Sequence, residues 1–167
     1  LAVAEDLRQL LQASGFRVVM TRTSDVSISD DLDTIRERKT SDLHNRMKIV
    51  ESQGDCVFVS IHQNQFPQSR YHGAQVFYSG NTDSSKSLAE AIRGRIVGML
   101  QKDNTRQTKP ATSSIYLLYH AKVPAVLVEC GFLSNDAEAA LLQDEAYQKK
   151  MAFAIYCGLL DFCTGKA

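Results

Sequence analysis

Two short apolar runs, each closed by a residue able to do chemistry, constrain this chain more than any other feature. The first is Cys56-Val-Phe-Val-Ser-Ile61, which runs into His62, Gln63 and Asn64; the second is Pro124-Ala-Val-Leu-Val128, which runs into Glu129. Such runs read as buried strands of an α/β sheet. In sheets of that kind, chemistry collects just beyond the carboxyl ends of the strands. An imidazole that can hold a metal and a carboxylate that can move a proton are the minimum parts of a metal-assisted hydrolase. The chain shows too few further ligands to close a metal site by itself.

The rest of the sequence supplies the surroundings of such a sheet. Leu7, Leu10 and Leu11 have helical spacing within Leu1–Ala13, and Gly15 supplies a stop. Phe16–Thr21 is strand-like, and Arg22–Thr40 reads as a long polar loop with one short helix. Ser41 is expected to cap a helix reaching about Ser52. Strands are expected at Asp55–Ile61, Gly73–Ser79, Ile115–Tyr119 and Ala125–Glu129, with a long helix from Asp83 to about Lys102. A polar loop fills Asp103–Ser114. Ser134 or Asn135 caps a helix containing Leu141 and Leu142, and a last helix spans Glu145 to Cys163. This order predicts one α/β domain over residues 1–167, a mixed and mostly parallel sheet with helices on both faces.

Composition excludes several functions. The 19 basic and 19 acidic residues cancel, so no overall field favours nucleic acid or an anionic membrane. No stretch is long enough to span a bilayer, and these residues show no signal-peptide pattern, an absence of little weight because the sequence opens at Leu1, without Met, inside an expected helix. Cys56, Cys130, Cys157 and Cys163 lack CxxC spacing and read as buried core thiols rather than a zinc site or disulfide framework. Asp30, Asp31 and Asp33 precede Arg36, Arg38 and Lys39; a solvated loop leading into a helix explains this charge run better than a binding patch does.

Side chains alternate along a strand, so Ser60 and His62 share one face while Ile61 takes the other. A lone histidine is usually structural, but His62 stands between an apolar run and an Asn-containing loop, where a zinc ligand would sit. Glu129 is costly at the end of Ala-Val-Leu-Val unless paired, metal-bound or at an opening. Burial would raise its pKa towards general acid/base work; the competing role is a salt bridge closing the strand. If Glu129 faces the site, Cys130 faces the core, which argues against a thiol nucleophile. His44 reads as solvent-exposed, and His72 and His120 lie in loops beside strands. Asn64, Arg106 and Ser114 are candidate substrate contacts, and Tyr116 and Tyr119 packing residues.

Those segments, with Val18–Arg22, Asn45-Arg46, Val59–Asn64, Gly73–Tyr78, Leu88–Glu90 and Val128–Asn135, resemble the zinc-dependent N-acetylmuramoyl-L-alanine amidases of the Amidase_3 type. Phe66–Gly73 and Asp103–Arg106 look most like its sporulation and germination branch, the CwlD type. The resemblance implies hydrolysis of the amide joining N-acetylmuramic acid to L-alanine in peptidoglycan, coupled in that branch to muramic-δ-lactam formation in spore cortex. It implies one zinc ion held by two histidines and a glutamate, with His62 as one ligand. Glu129 would be the acid/base that takes a proton from water and delivers it to the departing amine. It also implies work outside the cytoplasm, in the cell wall or forespore intermembrane space, and, for some relatives, a lipoprotein partner. The family's first histidine and its glutamate ligand fall before Leu1 in this register, and Glu5 and Asp6 lie too far into the helix to match the latter. The absent first strand is expected to leave a sheet edge or gap. A competing reading is a catalytically inactive module that binds peptidoglycan or a partner. A Glu129 side chain has a catalytic use and no obvious binding one, which favours the enzyme.

Overall fold

A computed structural model describes residues 1–166. Its elements are α1 (Ala2–Ala13), α2 (Ile35–Glu51), β1 (Phe58–Asn64), β2 (Gln75–Tyr78), α3 (Asp83–Met99), β3 (Lys109–Pro110), α4 (Tyr116–His120), β4 (Ala125–Phe132), α5 (Asp136–Gln143) and α6 (Glu145–Cys163). The four strands form one sheet in the order β1-β4-β2-β3, with β1 at one edge. β1 runs parallel to β4 and β3 parallel to β2, while β2 runs antiparallel to β4. The α/β architecture expected from the two apolar runs is the one observed.

Alternation along the strands divides the core in two. Val126, Val128 and Cys130 of β4 join Val76, Val59 and Ile61 in the main cluster, which is closed by α1, α3 and α6. Ala125 and Leu127 take the other face with Phe58 and Phe77, beneath Leu118 of α4. Met47 and Val50 of α2 pack on Leu117 and Phe58 beside it. This second cover stops short of the carboxyl ends of β1 and β4, and there the sheet face opens.

Helices α3 and α6 meet closely at Gly158. A Cβ on Gly158 would lie 2.5 Å from the Ile92 Cα and 2.8 Å from its nitrogen, so only glycine lets the two backbones meet. Overpacking of this kind typically costs about 1–3 kcal/mol, and backbone offers less relief than a side chain. Gly158→Ala is expected to lose at least ~2 kcal/mol; a thermal melt unchanged from native would show that the helices can separate freely.

Several local expectations are corrected. Phe16–Thr21 forms no strand and joins no ladder among the described residues. The Phe16 amide closes the end of α1 on the Leu11 carbonyl at 3.0 Å, and the Thr21 hydroxyl accepts from Arg46 at 2.8 Å. α2 starts at Ile35, well before Ser41, because Thr34 and Glu37 form a reciprocal capping box with both bonds at 3.1 Å. Ser41 lies inside that helix and donates to Asp30 at 2.6 Å. Ile115–Tyr119 is mostly the helix α4, not a strand: the Tyr119 amide donates to the Ile115 carbonyl and the Ala121 amide to the Leu117 carbonyl, both at 3.0 Å and both four residues back, the bonding of a helix. β3 emerges from the expected polar loop. Of the cysteines only Cys130 is fully buried; Cys56 and Cys157 are half-buried and Cys163 is exposed, and all four are free thiols. The expected caps and limits of α5 and α6 match those observed: Asn135 accepts from Glu138 N, and α6 runs from Glu145 to Cys163.

Candidate active site at the carboxyl ends of β1 and β4

Register places the two chemically capable residues side by side: His62 of β1 is the ladder partner of Glu129 of β4. On the other side of β4, Gln75 of β2 is the ladder partner of the same Glu129. Directly opposed residues present their side chains to one face. His62, Glu129 and Gln75 therefore form a row across the sheet, on the face that α4 leaves open. Irregular register between His62 and Asn64 bends β1 just beyond the imidazole.

The row's electrostatics follow from its half-covered position. Burial pushes the Glu129 carboxyl up from its ordinary 4.5 to about 7. Its Oε2 is buried without a hydrogen-bond partner among the described residues, as is Oε1 of Gln75. The Gln75 amide is otherwise held, its Nε2 donating to the Gln107 carbonyl at 2.5 Å. His62 is more exposed, and its Nε2 lies 3.0 Å from the Ser60 hydroxyl, the same-face neighbour expected from alternation. Burial, followed by the charges of Arg46 and Arg22, depresses its basicity and favours the neutral imidazole. A neutral imidazole is the form that binds zinc, and a carboxyl near neutrality can both take and give a proton. Cys130 points into the core, where burial pushes its thiol up to about 12, the wrong direction for a nucleophile.

The Glu129 shift makes a prediction for zinc-free protein. Between pH 4.5 and about 7 the unfolded carboxyl is ionised while the folded one keeps its proton. The folded state then binds more protons, so this contribution is fully present below pH 4.5 and is lost as pH rises through about 7. The unscreened upper bound is about 3.4 kcal/mol, at about 1.4 kcal/mol per unit, and solvent around the half-buried carboxyl makes the loss smaller. Glu129→Gln should flatten the decline measured by denaturant melts across that window. A slope shared by native and variant proteins would exclude Glu129 as its source. Asp42, held near pKa 2 by Arg46 and backbone and hydroxyl donors against the opposing effect of burial, titrates in a separate acid window.

The other expected residues occupy different places. Asn64 lies at the end of β1, pairs with Phe132, and its carbonyl accepts from Leu133 N at 2.7 Å. Arg106 reaches the same end of the sheet: its guanidinium lies 4.7 Å from the Phe132 ring centre, and its Nε donates to the His72 carbonyl at 2.8 Å. Ser114 is exposed before α4 with its hydroxyl 2.7 Å from that of Thr112, and no hydrogen bond among the described residues ties it to the row. His44, His72 and His120 are all exposed. Tyr119 is exposed and Tyr116 half-buried, so of these two expected packing residues only Tyr116 packs into a core cluster. The residue that sequence reasoning passed over is Gln75; a glutamine inside the apolar strand segment Gly73–Ser79 was the signal available.

Among the described residues no three His, Cys, Asp or Glu side chains converge on one point. The donors present fit zinc as part of a site: one neutral imidazole beside an unpartnered carboxyl oxygen.

Comparison with known proteins bears on the chain as a whole. Residues 1–161 match the family described as N-acetylmuramoyl-L-alanine amidase, Amidase_3. A germination-specific N-acetylmuramoyl-L-alanine amidase of Bacillus subtilis is 36% identical over 167 residues, covering 99% of this chain and 70% of the relative. The CwlD amidase from Clostridioides difficile, solved in complex with the GerS lipoprotein, superposes with a TM-score of 0.94 at 41% identity, over 98% of this chain and 84% of that one. The catalytic domain of CwlV, an amidase from Paenibacillus polymyxa, superposes with a TM-score of 0.79 at 27% identity, over 98% of this chain and 82% of that one.

Proposed function

The chain belongs to the Amidase_3 family of N-acetylmuramoyl-L-alanine amidases, and from that premise we propose that it forms the catalytic domain of a zinc-dependent peptidoglycan amidase. The observation that carries the reading is the row His62–Glu129–Gln75, with a carboxyl near pKa 7 at its centre. His62 would serve as one zinc ligand, with the rest of a three-ligand set coming from outside these 167 residues. Zinc, when bound, supplies Lewis-acid polarisation of the scissile carbonyl and of water.

The remaining chemistry belongs to the chain's own groups. Glu129 in its ionised form takes a proton from the attacking water and, protonated, returns it to the amine that leaves with L-alanine. In the metal-free protein burial holds this carboxyl at a pKa of about 7, well above an ordinary carboxylate, and a group so readily protonated is suited to both steps. The orphaned Gln75 Oε1 is an acceptor beside it, able to hold an N–H of the substrate. Asn64 and Arg106 would contact substrate at the rim of the same opening. Ser114 would do so only from the far side of the α4 cover.

Finer points extend the proposal. The germination-specific relative and the lipoprotein bound to the CwlD amidase support a role in germination with a lipoprotein partner; action outside the cytoplasm on spore-cortex peptidoglycan, towards muramic-δ-lactam, is part of the same proposal. No described helix is long and apolar enough to cross a membrane. A module that only binds the wall has no use for a protonatable carboxyl held without partners, which disfavours that reading. The test is mass spectrometry of purified peptidoglycan treated with the full-length natural protein. Free L-alanine amino termini are expected; peptides released by cleavage elsewhere would contradict the proposal.

A further inference from the structure

Beside the active-site row the sheet forks. The last ladder pair of β2 with β4 is Gln75 with Glu129, and continued antiparallel pairing would set Ala74 opposite Cys130 next. Those two residues meet through a side chain instead. Gln101, just past α3, accepts from the Ala74 amide at 2.7 Å through Oε1 and donates from Nε2 to the Cys130 carbonyl at 3.3 Å. Further out, Glu138 of α5 takes two amides: Gly73 N donates to its Oε1 and Phe132 N to its Oε2, each at 2.8 Å. Two side chains thus replace the rungs that β2 and β4 no longer supply to each other.

Residue type matches the demand at each position. The inner gap presents one N–H and one C=O, and a carboxamide offers one acceptor and one donor. The outer gap presents two N–H groups, and an ionised carboxylate offers acceptors only. Both side chains are also held from outside the fork. Asn104 Nδ2 donates to the Gln101 Oε1 at 3.0 Å, and the Gln101 Nε2 donates to the Tyr147 hydroxyl at 2.9 Å. Glu138 is anchored at the start of α5, where its own amide donates to Asn135 Oδ1 at 3.1 Å. Glycine keeps the space free: a Cβ on Gly131 would lie 3.3 Å from the Glu138 carboxylate, and one on Gly73 would lie 2.8 Å from Asn104.

We propose that Gln101 and Glu138 are positioning residues for hydrolysis: they set the width of the fork, and through the backbones of β2 and β4 they place Gln75 and Glu129. The inference rests on the amidase reading and adds to it two residues that act at a distance from the reacting atoms. Ala74 and Cys130 are the chain neighbours of Gln75 and Glu129, so a change in fork width reaches the row with no flexible link between. Misplacement of reacting groups by about 1 Å can cost about 100-fold in rate.

The test uses the zinc-loaded full-length natural protein and a soluble muropeptide. Glu138→Gln keeps the shape but turns an NH₂ group towards a backbone amide. Its kcat is expected to fall at least ~10-fold, with KM within ~3-fold of native. Glu138→Asp, which keeps both acceptors on a shorter stem, should recover part of that loss. Gln101→Glu, which turns a carboxylate oxygen towards the Cys130 carbonyl, should show the same fall and keeps the test open if Glu138→Gln does not fold. Gly158→Ala is the control for stability alone: it weakens the α3–α6 contact without touching the fork and should keep native kcat while folded. A smaller fall in kcat, a loss carried by KM, or an equal fall in Gly158→Ala overturns the assignment.

Amide hydrogen exchange separates this inference from the amidase reading. In Glu138→Gln, faster exchange should spread from Gly73 and Phe132 into the ladder at Val76 and Phe77. Exchange confined to Gly73 and Phe132 removes the fork as a positioning device, whether or not the native protein cleaves. Spread with no cleavage by the native protein removes the amidase reading and leaves the fork as the element that sets the row.

Discussion

Glu129→Gln is expected to slow amide hydrolysis by at least ~1,000-fold while leaving the fold and zinc content nearly unchanged. General acid/base groups contribute roughly 10²–10⁴-fold, and here one carboxyl is asked to act first as base and then as acid. Glutamine has the same shape and cannot ionise, so it loses both steps without opening a cavity. Stability should hold, because the native carboxyl already keeps its proton up to about pH 7. A neutral amide in its place resembles the state the sheet prefers. Turnover within ~10-fold of native would take the proton-transfer role away from Glu129, whatever the zinc content.

His62→Ala should act on the metal instead. His62 stands on an edge strand and belongs to no core cluster, so its loss costs little core packing. Residues that merely support a metal ligand change affinity by about 10–100-fold when mutated. Removal of a ligand itself is expected to exceed ~100-fold, with activity falling in step and returning partly at high zinc. Zinc stoichiometry measured by atomic absorption across a zinc titration reads this directly. Full-strength binding in the variant would mean that His62 is a structural partner of Ser60, to which it already bonds at 3.0 Å.

The pair that carries these predictions was legible in the sequence because burial and alternation act locally. An apolar strand ending in His62 and another ending in Glu129 specify one sheet end, and parallel pairing of β1 with β4 then makes the two residues neighbours. Cys130 facing the core follows from the same alternation. What stayed hidden depends on contacts between distant segments. Phe16–Thr21 has strand composition, yet a strand exists only with a partner ladder, and that is not a local property. Ile115–Tyr119 is too short for periodicity to tell helix from strand, and its two buried leucines are sorted by α2 on one side and β4 on the other. The start of α2 was in plain sight, since Thr34-Ile-Arg-Glu37 spells a capping box; the surrounding Asp and Ser residues masked it. Gln75 gains meaning only from what the fold sets opposite it.

One measurement tests the central claim most directly: counting L-alanine amino termini freed from purified peptidoglycan by the full-length natural protein, before and after a chelator, and after zinc is restored. Zinc-dependent cleavage at the His62–Glu129 end of the sheet predicts release that chelation stops and zinc restores, and that the Glu129→Gln protein lacks under all three conditions. Release that persists without metal, or that the Glu129→Gln protein supports at the native rate, would contradict it.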